Sequence, residues 1–307
     1  MVLPEADILE DLVRGNNTRG IHNMKINKDE FGDFFEREVT IYSIRSNIIS
    51  LNILLDTSGS MSGKRITEVN AVMSNLMDLI KEIEESYSVQ VRFRAIQFNS
   101  VANWVLGDTE HYVCNYHFCD YAYAIKSQVW IPLIAEGTTA TAEAIALASA
   151  GLHHDFYQEN TALFSKYEHD RLYYHPPVIV LVTDGLSNDP NRTLKEIEKL
   201  KHSVPIEYEE RVMRIAIGIG GADLDELKQF ASIGEIEHGD GTTSEETPLV
   251  VYLQDEEGIL TKNIQSVIQS ALLSSIYHGR LEKRVENEEY FPVISEYRYD
   301  GDDWLDG

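Results

Sequence analysis

Cysteine and basic side chains are scarce in this sequence, and long apolar runs are missing. The 307 residues include two cysteines, and 26 Lys and Arg face 51 Asp and Glu, which gives a formal charge of −25. Nucleic acids and anionic membranes bind surfaces rich in Lys and Arg, so this balance argues against both as partners. Two cysteines are too few for a disulfide scaffold, and this favours a reducing compartment.

The chain also lacks signals for a membrane or for export. Its longest aliphatic runs, such as residues 178–182, are much shorter than the roughly 20 residues of a membrane span. The first residues carry acid where a secretory leader carries Lys and Arg. We therefore expect a cytoplasmic protein without a membrane anchor.

Apolar segments of strand length alternate with helical patterns through the centre of the chain. The predicted strands lie at residues 50–56, 89–98, 178–183 and 213–218, and helices are predicted after each of them or before the next. This alternation predicts an α/β fold, with an open, mostly parallel, doubly wound sheet and helices on both faces. Residues 101–106, which follow a turn, are predicted to return as one antiparallel edge strand.

Composition divides the chain into three parts. Residues 1–38 are predicted to form an acidic extension, and residues 281–307 an acidic tail with interspersed aromatic side chains. The central domain, 39–280, carries two predicted insertions at about 107–130 and 153–177, which fit no simple hydrophobic period.

Small oxygen-bearing side chains follow the predicted strands, where the ligands of such sheets bind. Asp56, Ser58 and Ser60 follow the first strand, Asp184 follows the strand at 178–183, and a Thr-rich loop precedes the Ala-rich helix near residue 140. Carboxylates and hydroxyls form a hard ligand set that suits Mg²⁺ or Mn²⁺ better than zinc. Taken one at a time, these residues also fit turns and helix caps.

In this combination and order the three loops resemble the von Willebrand factor A (VWA) domain family, with its metal-ion-dependent adhesion site (MIDAS). The resemblance covers roughly residues 48–276. It implies five metal ligands, namely Asp56, Ser58, Ser60, Thr139 and Asp184, and one open position for a carboxylate of a partner. Thr138 stands where the family usually has a second glycine, and Thr139 and Thr141 compete for the N-cap of the next helix.

The resemblance implies a scaffold or adaptor without catalysis, which recognises an acidic group on a protein partner through Mg²⁺ or Mn²⁺. The first and third loops look most like bacterial tellurium-resistance-type VWA proteins, which accompany kinases and phosphatases in stress and conflict systems. Two alternatives stay open. One is a VWA subunit of an ATPase-coupled chaperone or metal chelatase; the other is a metal-dependent hydrolase, for which no general base is identifiable.

A second group of potential ligands lies in the first insertion. His111, Cys114, His117 and Cys119 offer four nitrogen and sulfur donors that could close a zinc site, although their spacing is not that of a common zinc finger. Inert thiols and surface histidines are the alternative. His153, His154 and Asp155 are expected at a helix end on the surface.

The acidic tail also has two interpretations. It is either solvated or a docking segment, because aromatic anchors within acid suit a basic, grooved partner. The excess of acid further implies that the partner presents its carboxylate within a basic surface, or that an acidic segment of this chain fills the metal site.

Overall fold

The computed structural model describes residues 22–24, 39–41, 47–114, 124–125, 129–159, 173–209, 211–237, 247–254, 259–281 and 293–295. The chain divides into two compact units, Met1–Arg45 and Ser46–Gly307. In the first unit, β1 (His22–Met24) pairs antiparallel with β2 (Val39–Ile41). The predicted division into an extension, a central domain and a tail stays a prediction.

The second unit alternates strands and helices along the chain. Its strands are β3 (Asn47–Asp56), β4 (Val89–Phe98), β5 (Ala102–Leu106), β6 (Tyr112–Val113), β7 (Ala124–Ile125), β8 (Tyr173–Tyr174), β9 (Val178–Thr183), β10 (Met213–Ile219), β11 (Ile233–Glu237), β12 (Thr247–Pro248), β13 (Val250–Leu253) and β14 (Val293–Ser295). Its α-helices are α1 (Lys64–Tyr87), α2 (Thr141–His153), α3 (Pro190–Lys201), α4 (Ile206–Glu209), α5 (Leu224–Phe230) and α6 (Ile259–Leu281). A 3₁₀ turn covers Gly59–Met61, and a π-helix continues α2 over His154–Glu159.

Strand β3 lies in the middle of the main sheet, between β4 and β9, and is parallel to both. Beyond β9 follow β10 and β13, also parallel, while β5 and the two-residue strand β6 pair antiparallel with β4. The predicted open, mostly parallel sheet with antiparallel pairing at β5 is confirmed. Because the chain goes from β3 to β4 on one side and later to β9 on the other, the strand order reverses between β3 and β9. Ligand sites of such sheets lie at this reversal.

Helices cover both faces of the sheet. Side chains of α1 and α6 surround one space together with Val182 of β9, and side chains of α2, α3 and α5 surround another together with Leu181 and Thr183. Successive side chains of a strand point to opposite faces, so the two groups of helices lie on opposite sides of β9. This arrangement confirms the doubly wound architecture.

Local sequence explains where the helices begin and which face they bury. The carboxylate of Asp189 accepts the backbone N–H of Arg192 and Pro190 occupies the first turn of α3, as expected for an N-cap followed by proline. In α1 the apolar side chains recur every three or four residues and are buried, namely Ile66, Val69, Met73, Leu76, Ile80 and Ile83. Within the described ranges, no helix is both long and apolar enough to cross a bilayer.

A buried ion pair joins β4 to the π-helix after α2. Arg94 Nη1 and Nη2 donate to Asp155 Oδ2 and Oδ1 at 2.8 and 2.7 Å, and Ser50 Oγ donates to Oδ2 at 2.7 Å. Burial acts to raise the pKa of Asp155, but the Arg94 guanidinium holds it below its ordinary value. His154 and Asp155, which were expected on the surface, are buried, and the carboxylate of Asp155 contacts β4 through Arg94.

Candidate metal site

Three loops meet at the carboxyl edge of β3 and β9, where the strand order reverses. Backbone hydrogen bonds join the loop after β3 to the loop before α2: Glu136 N donates to the Thr57 carbonyl at 2.7 Å, and Gly59 N to the Gly137 carbonyl at 3.0 Å. Asn188 N, in the loop after β9, donates to the Thr139 carbonyl at 2.9 Å. The three predicted ligand loops therefore form one surface.

The first loop turns its two serine hydroxyls toward each other. Asp56, the last residue of β3, accepts the Ser58 backbone N–H at 2.7 Å, and the 3₁₀ turn then brings Ser60 back toward Ser58. The hydroxyl oxygens of Ser58 and Ser60 lie 3.1 Å apart. Asp56 and Ser58 are buried whereas Ser60 is exposed, so the site opens to solvent at Ser60.

The end of β9 and the loop after it each supply one partner to the first loop. Thr183 Oγ1 donates to Asp56 Oδ2 at 2.5 Å, and Ser60 Oγ donates to Asp184 Oδ1 at 2.7 Å. Thr183 was not among the residues predicted as metal ligands. Its role follows from its position as the last residue of β9, which pairs with β3. That pairing is not visible in the sequence.

Thr139 brings the second loop to the same place. Helix α2 begins at Thr141 with Ala140 as its N-cap residue and no side-chain cap, so the Thr139 hydroxyl is not used for capping. A methyl group on Gly185 would lie 3.5 Å from Thr139 Oγ1, 3.8 Å from Ser60 Oγ and 4.0 Å from Asp56 Oδ2. The space that glycine leaves open is thus faced by oxygens from two other loops.

Thr138, the departure from the family pattern, ties the second loop to its neighbours. Its hydroxyl accepts Asn188 Nδ2 at 2.8 Å and lies 3.3 Å from the hydroxyl of Ser100. Gly137 has a φ of +77° and packs against Ser100, where a Cβ would collide with the Ser100 hydroxyl. The second loop therefore needs glycine at position 137, whereas the side chain of Thr138 makes hydrogen bonds to the neighbouring loops.

The site combines two carboxylates with one neighbouring positive charge. Desolvation raises the pKa of Asp56 although Thr183 and Ser58 donate hydrogen bonds to it, and the neighbouring Asp184 carboxylate raises it further. Arg65, at the start of α1, forms an ion pair with Asp184. Two carboxylates and three hydroxyls, without thiolate or imidazole, are a donor set for a hard divalent cation.

The second predicted group of ligands does not form a metal site in the described part of the chain. His111 Nδ1 lies 2.9 Å from Asp108 Oδ1, and the buried Cys114 is disulfide-bonded, so its sulfur offers no thiolate to zinc. His117 and Cys119 lie outside the described residues. Among the residues that are described, no three His, Cys, Asp or Glu side chains lie close enough to hold a metal.

A doubly wound α/β sheet with an oxygen-rich site at the reversal of strand order defines a class of ligand-binding domain. The chain belongs to the von Willebrand factor type A domain family, whose model matches residues 51–247. The sequence resemblance to this family is confirmed.

The chain is also similar to solved structures, three of which are described below. The structure named von Willebrand factor type A from Catenulispora acidiphila is 15% identical over 75% of this chain, with a TM-score of 0.48. Proximal thread matrix protein 1 from the mussel byssus, with a zinc-occupied MIDAS motif, is 19% identical over 74%, with a TM-score of 0.43. The ArnB paralog VWA2 from Sulfolobus acidocaldarius is 14% identical over 76%, with a TM-score of 0.38. The match covers 43%, 48% and 47% of those three chains. A search of curated proteins found no match.

Proposed function

We propose that this chain binds Mg²⁺ or Mn²⁺ through Asp56, Ser58, Ser60, Thr139 and Asp184, and that it thereby captures a carboxylate of a protein partner. The observation that carries the proposal is the convergence of oxygens from three loops around the open side of Gly185. VWA domains commonly bind a divalent metal and mediate protein–protein interaction.

The residues of the proposed site have three different roles. Ser58, Ser60 and Thr139 offer uncharged oxygens, while Asp56 and Asp184 supply the negative charge that a divalent cation balances. Thr183 and the Ser58 amide hold the Asp56 carboxylate in place. When bound, a divalent cation supplies the positive charge that holds an acidic group of the partner.

We propose further that the chain acts by binding alone, as an adaptor. Its partners would be proteins that present Asp or Glu within a basic surface, since a chain of charge −25 repels acidic proteins at long range. A setting in stress or conflict systems, with kinase or phosphatase partners, follows from the resemblance of the first and third loops. Turnover of a phosphoester that is lost in Asp184→Ala would contradict the adaptor role.

Calorimetric titration with Mg²⁺ and Mn²⁺ tests the metal site. The wild type should bind one equivalent, and Ser58→Ala and Thr139→Ala should each weaken binding at least about tenfold. Ser62→Ala is the matched control, because Ser62 lies in the same loop and is exposed. Equal affinities in all four proteins would refute the ligand assignment.

Affinity capture from native lysate tests the partner. Wild type and the Ser58→Ala/Asp184→Ala double variant are each used with Mg²⁺ and with EDTA. We expect a set of proteins that only the wild type retains, and only with Mg²⁺. Identical sets in all four arms would overturn recognition through a metal.

A further inference from the structure

Arg65 places a fixed positive charge beside the proposed metal ligands. Its guanidinium group forms an ion pair with Asp184 Oδ2, and its Nη1 lies 3.4 Å from the Ser60 carbonyl oxygen. The other oxygen of the same carboxylate, Asp184 Oδ1, accepts the Ser60 hydroxyl at 2.7 Å. One carboxylate thus connects the arginine to a proposed metal ligand.

The guanidinium group of Arg65 packs against the backbone of Gly220. Gly220, in the loop after β10, has a φ of +62°, and a Cβ built there would lie 3.1 Å from Arg65 Cζ and closer still to Nη2. A side chain at this position would displace the guanidinium group. The arginine can take this position because glycine has no Cβ. The Asp184 side chain is fully buried and that of Arg65 is 21% exposed, so solvent screens the pair only in part.

The arginine changes the charge balance of the site. Asp56 and Asp184 together carry two negative charges, and a divalent cation would balance them fully. With Arg65 included, the loaded site carries one positive charge in excess. A positive charge at this place opposes the binding of a cation and favours the binding of an anion.

We infer that Arg65 favours the binding of an acidic partner to the metal-loaded site and weakens the binding of the metal to the free chain. The inference rests on the proposed function and names one further determinant of the same site. Arg65 lowers the affinity of the free chain for the cation, and it raises the affinity of the loaded site for a carboxylate. Loss of the charge must therefore move the two affinities in opposite directions.

Calorimetry on wild type, Arg65→Met and Arg65→Lys tests this inference. Arg65→Met should bind Mn²⁺ about tenfold more tightly than the wild type, and Arg65→Lys should stay near the wild type because it keeps the charge. Lys64→Met is the matched control, since it removes the same charge at the exposed neighbouring position.

The second measurement uses a blocked peptide with a single glutamate, titrated into each protein with saturating Mn²⁺. Arg65→Met should bind this peptide at least about threefold more weakly than the wild type does. The same peptide with glutamine should show no difference between the proteins. Opposite shifts of the two affinities, with Lys64→Met unchanged, would support the inference.

Three outcomes would overturn the inference, and they differ in what else they overturn. If Arg65→Met weakens both affinities, the arginine only holds Asp184 in position. If both affinities stay unchanged, the charge has no role in a site that still binds metal, and the proposed function survives. If the wild type binds no Mn²⁺, the proposed function and this inference fail together.

Discussion

Replacing Gly185 with alanine tests the open space between the three loops. The added methyl group would lie 3.5 Å from Thr139 Oγ1 and 3.8 Å from Ser60 Oγ, which are ordinary contact distances. Gly185 does not have a positive φ, so alanine fits its backbone without strain. The variant should therefore fold normally, with its new methyl group directed at the oxygens that we propose as ligands.

The expected magnitudes separate folding from metal binding. At a compatible backbone position, glycine to alanine stabilises a protein by about 0.4–1 kcal/mol, so Tm without metal should stay equal or rise slightly. At a Mg²⁺ concentration of about 100 times Kd, the wild type should gain about 2.7 kcal/mol from binding. For a domain of this size that gain raises Tm by about 5–10 °C. Gly185→Ala should lose most of this increase.

Differential scanning calorimetry with and without Mg²⁺ measures both effects. Gly221→Ala is the matched control: it introduces the same methyl group in the next loop of the same sheet edge, where no atom lies within 4 Å. The control should keep the Mg²⁺-dependent rise in Tm. The reasoning would be refuted if Gly185→Ala showed the same rise as the wild type.

Three further predictions concern charge and the tail. Asp56→Asn should stabilise the metal-free chain at neutral pH. Burial raises the pKa of Asp56, so in the wild type ionisation of this carboxyl costs stability as pH rises above its ordinary value of 3.8. Urea unfolding should show that the variant is no more stable than the wild type below about pH 4. Asp155→Asn should cost about 3–5 kcal/mol in urea unfolding at pH 7, since it leaves Arg94 buried without its carboxylate. Because the pKa of Asp155 is lowered, this cost should shrink as pH falls below 3.8; a cost below about 1 kcal/mol at pH 7 would contradict the account. Deletion of residues 285–307 should weaken capture of partners without changing Mg²⁺ affinity, and unchanged capture would refute a docking role.

The regular elements were predictable because their patterns are local. Residues 89–98 and 178–183 were predicted as strands, and β4 and β9 have these bounds. Residues 66–83 show the helical apolar period, and α1 covers them. Hydrophobic periodicity reports burial within a single element, and the sequence contains all of that information.

Elements that depend on a distant partner were missed. Strand β13, Val250–Leu253, has four residues and lies in the segment 235–257, which has eight acids and no Lys or Arg. It forms because β10 offers a parallel edge to pair with. The burial of Asp155 was missed for the same reason, since Arg94 lies 61 residues away in the chain.

In the candidate site, too, the residue types were predictable and the contacts between distant residues were not. Asp56, Ser58, Ser60 and Asp184 were identified from the sequence, because oxygen donors that follow strands meet at one edge of a parallel sheet. Which metal they bind, and whether they bind one, stays a prediction for the titrations above.

The sequence by itself determined the kinds of ligand atoms and the order of the three loops, because both follow from residue type and strand position. Only the tertiary structure showed that neither Thr139 nor Thr141 is the N-cap residue of α2, since the helix begins at Thr141 and Ala140 takes that position. It also brought Arg65 to Asp184, across 119 residues of chain. That contact depends on strand order and loop packing, which no local pattern contains. It places a positive charge beside the two carboxylates of the proposed metal site.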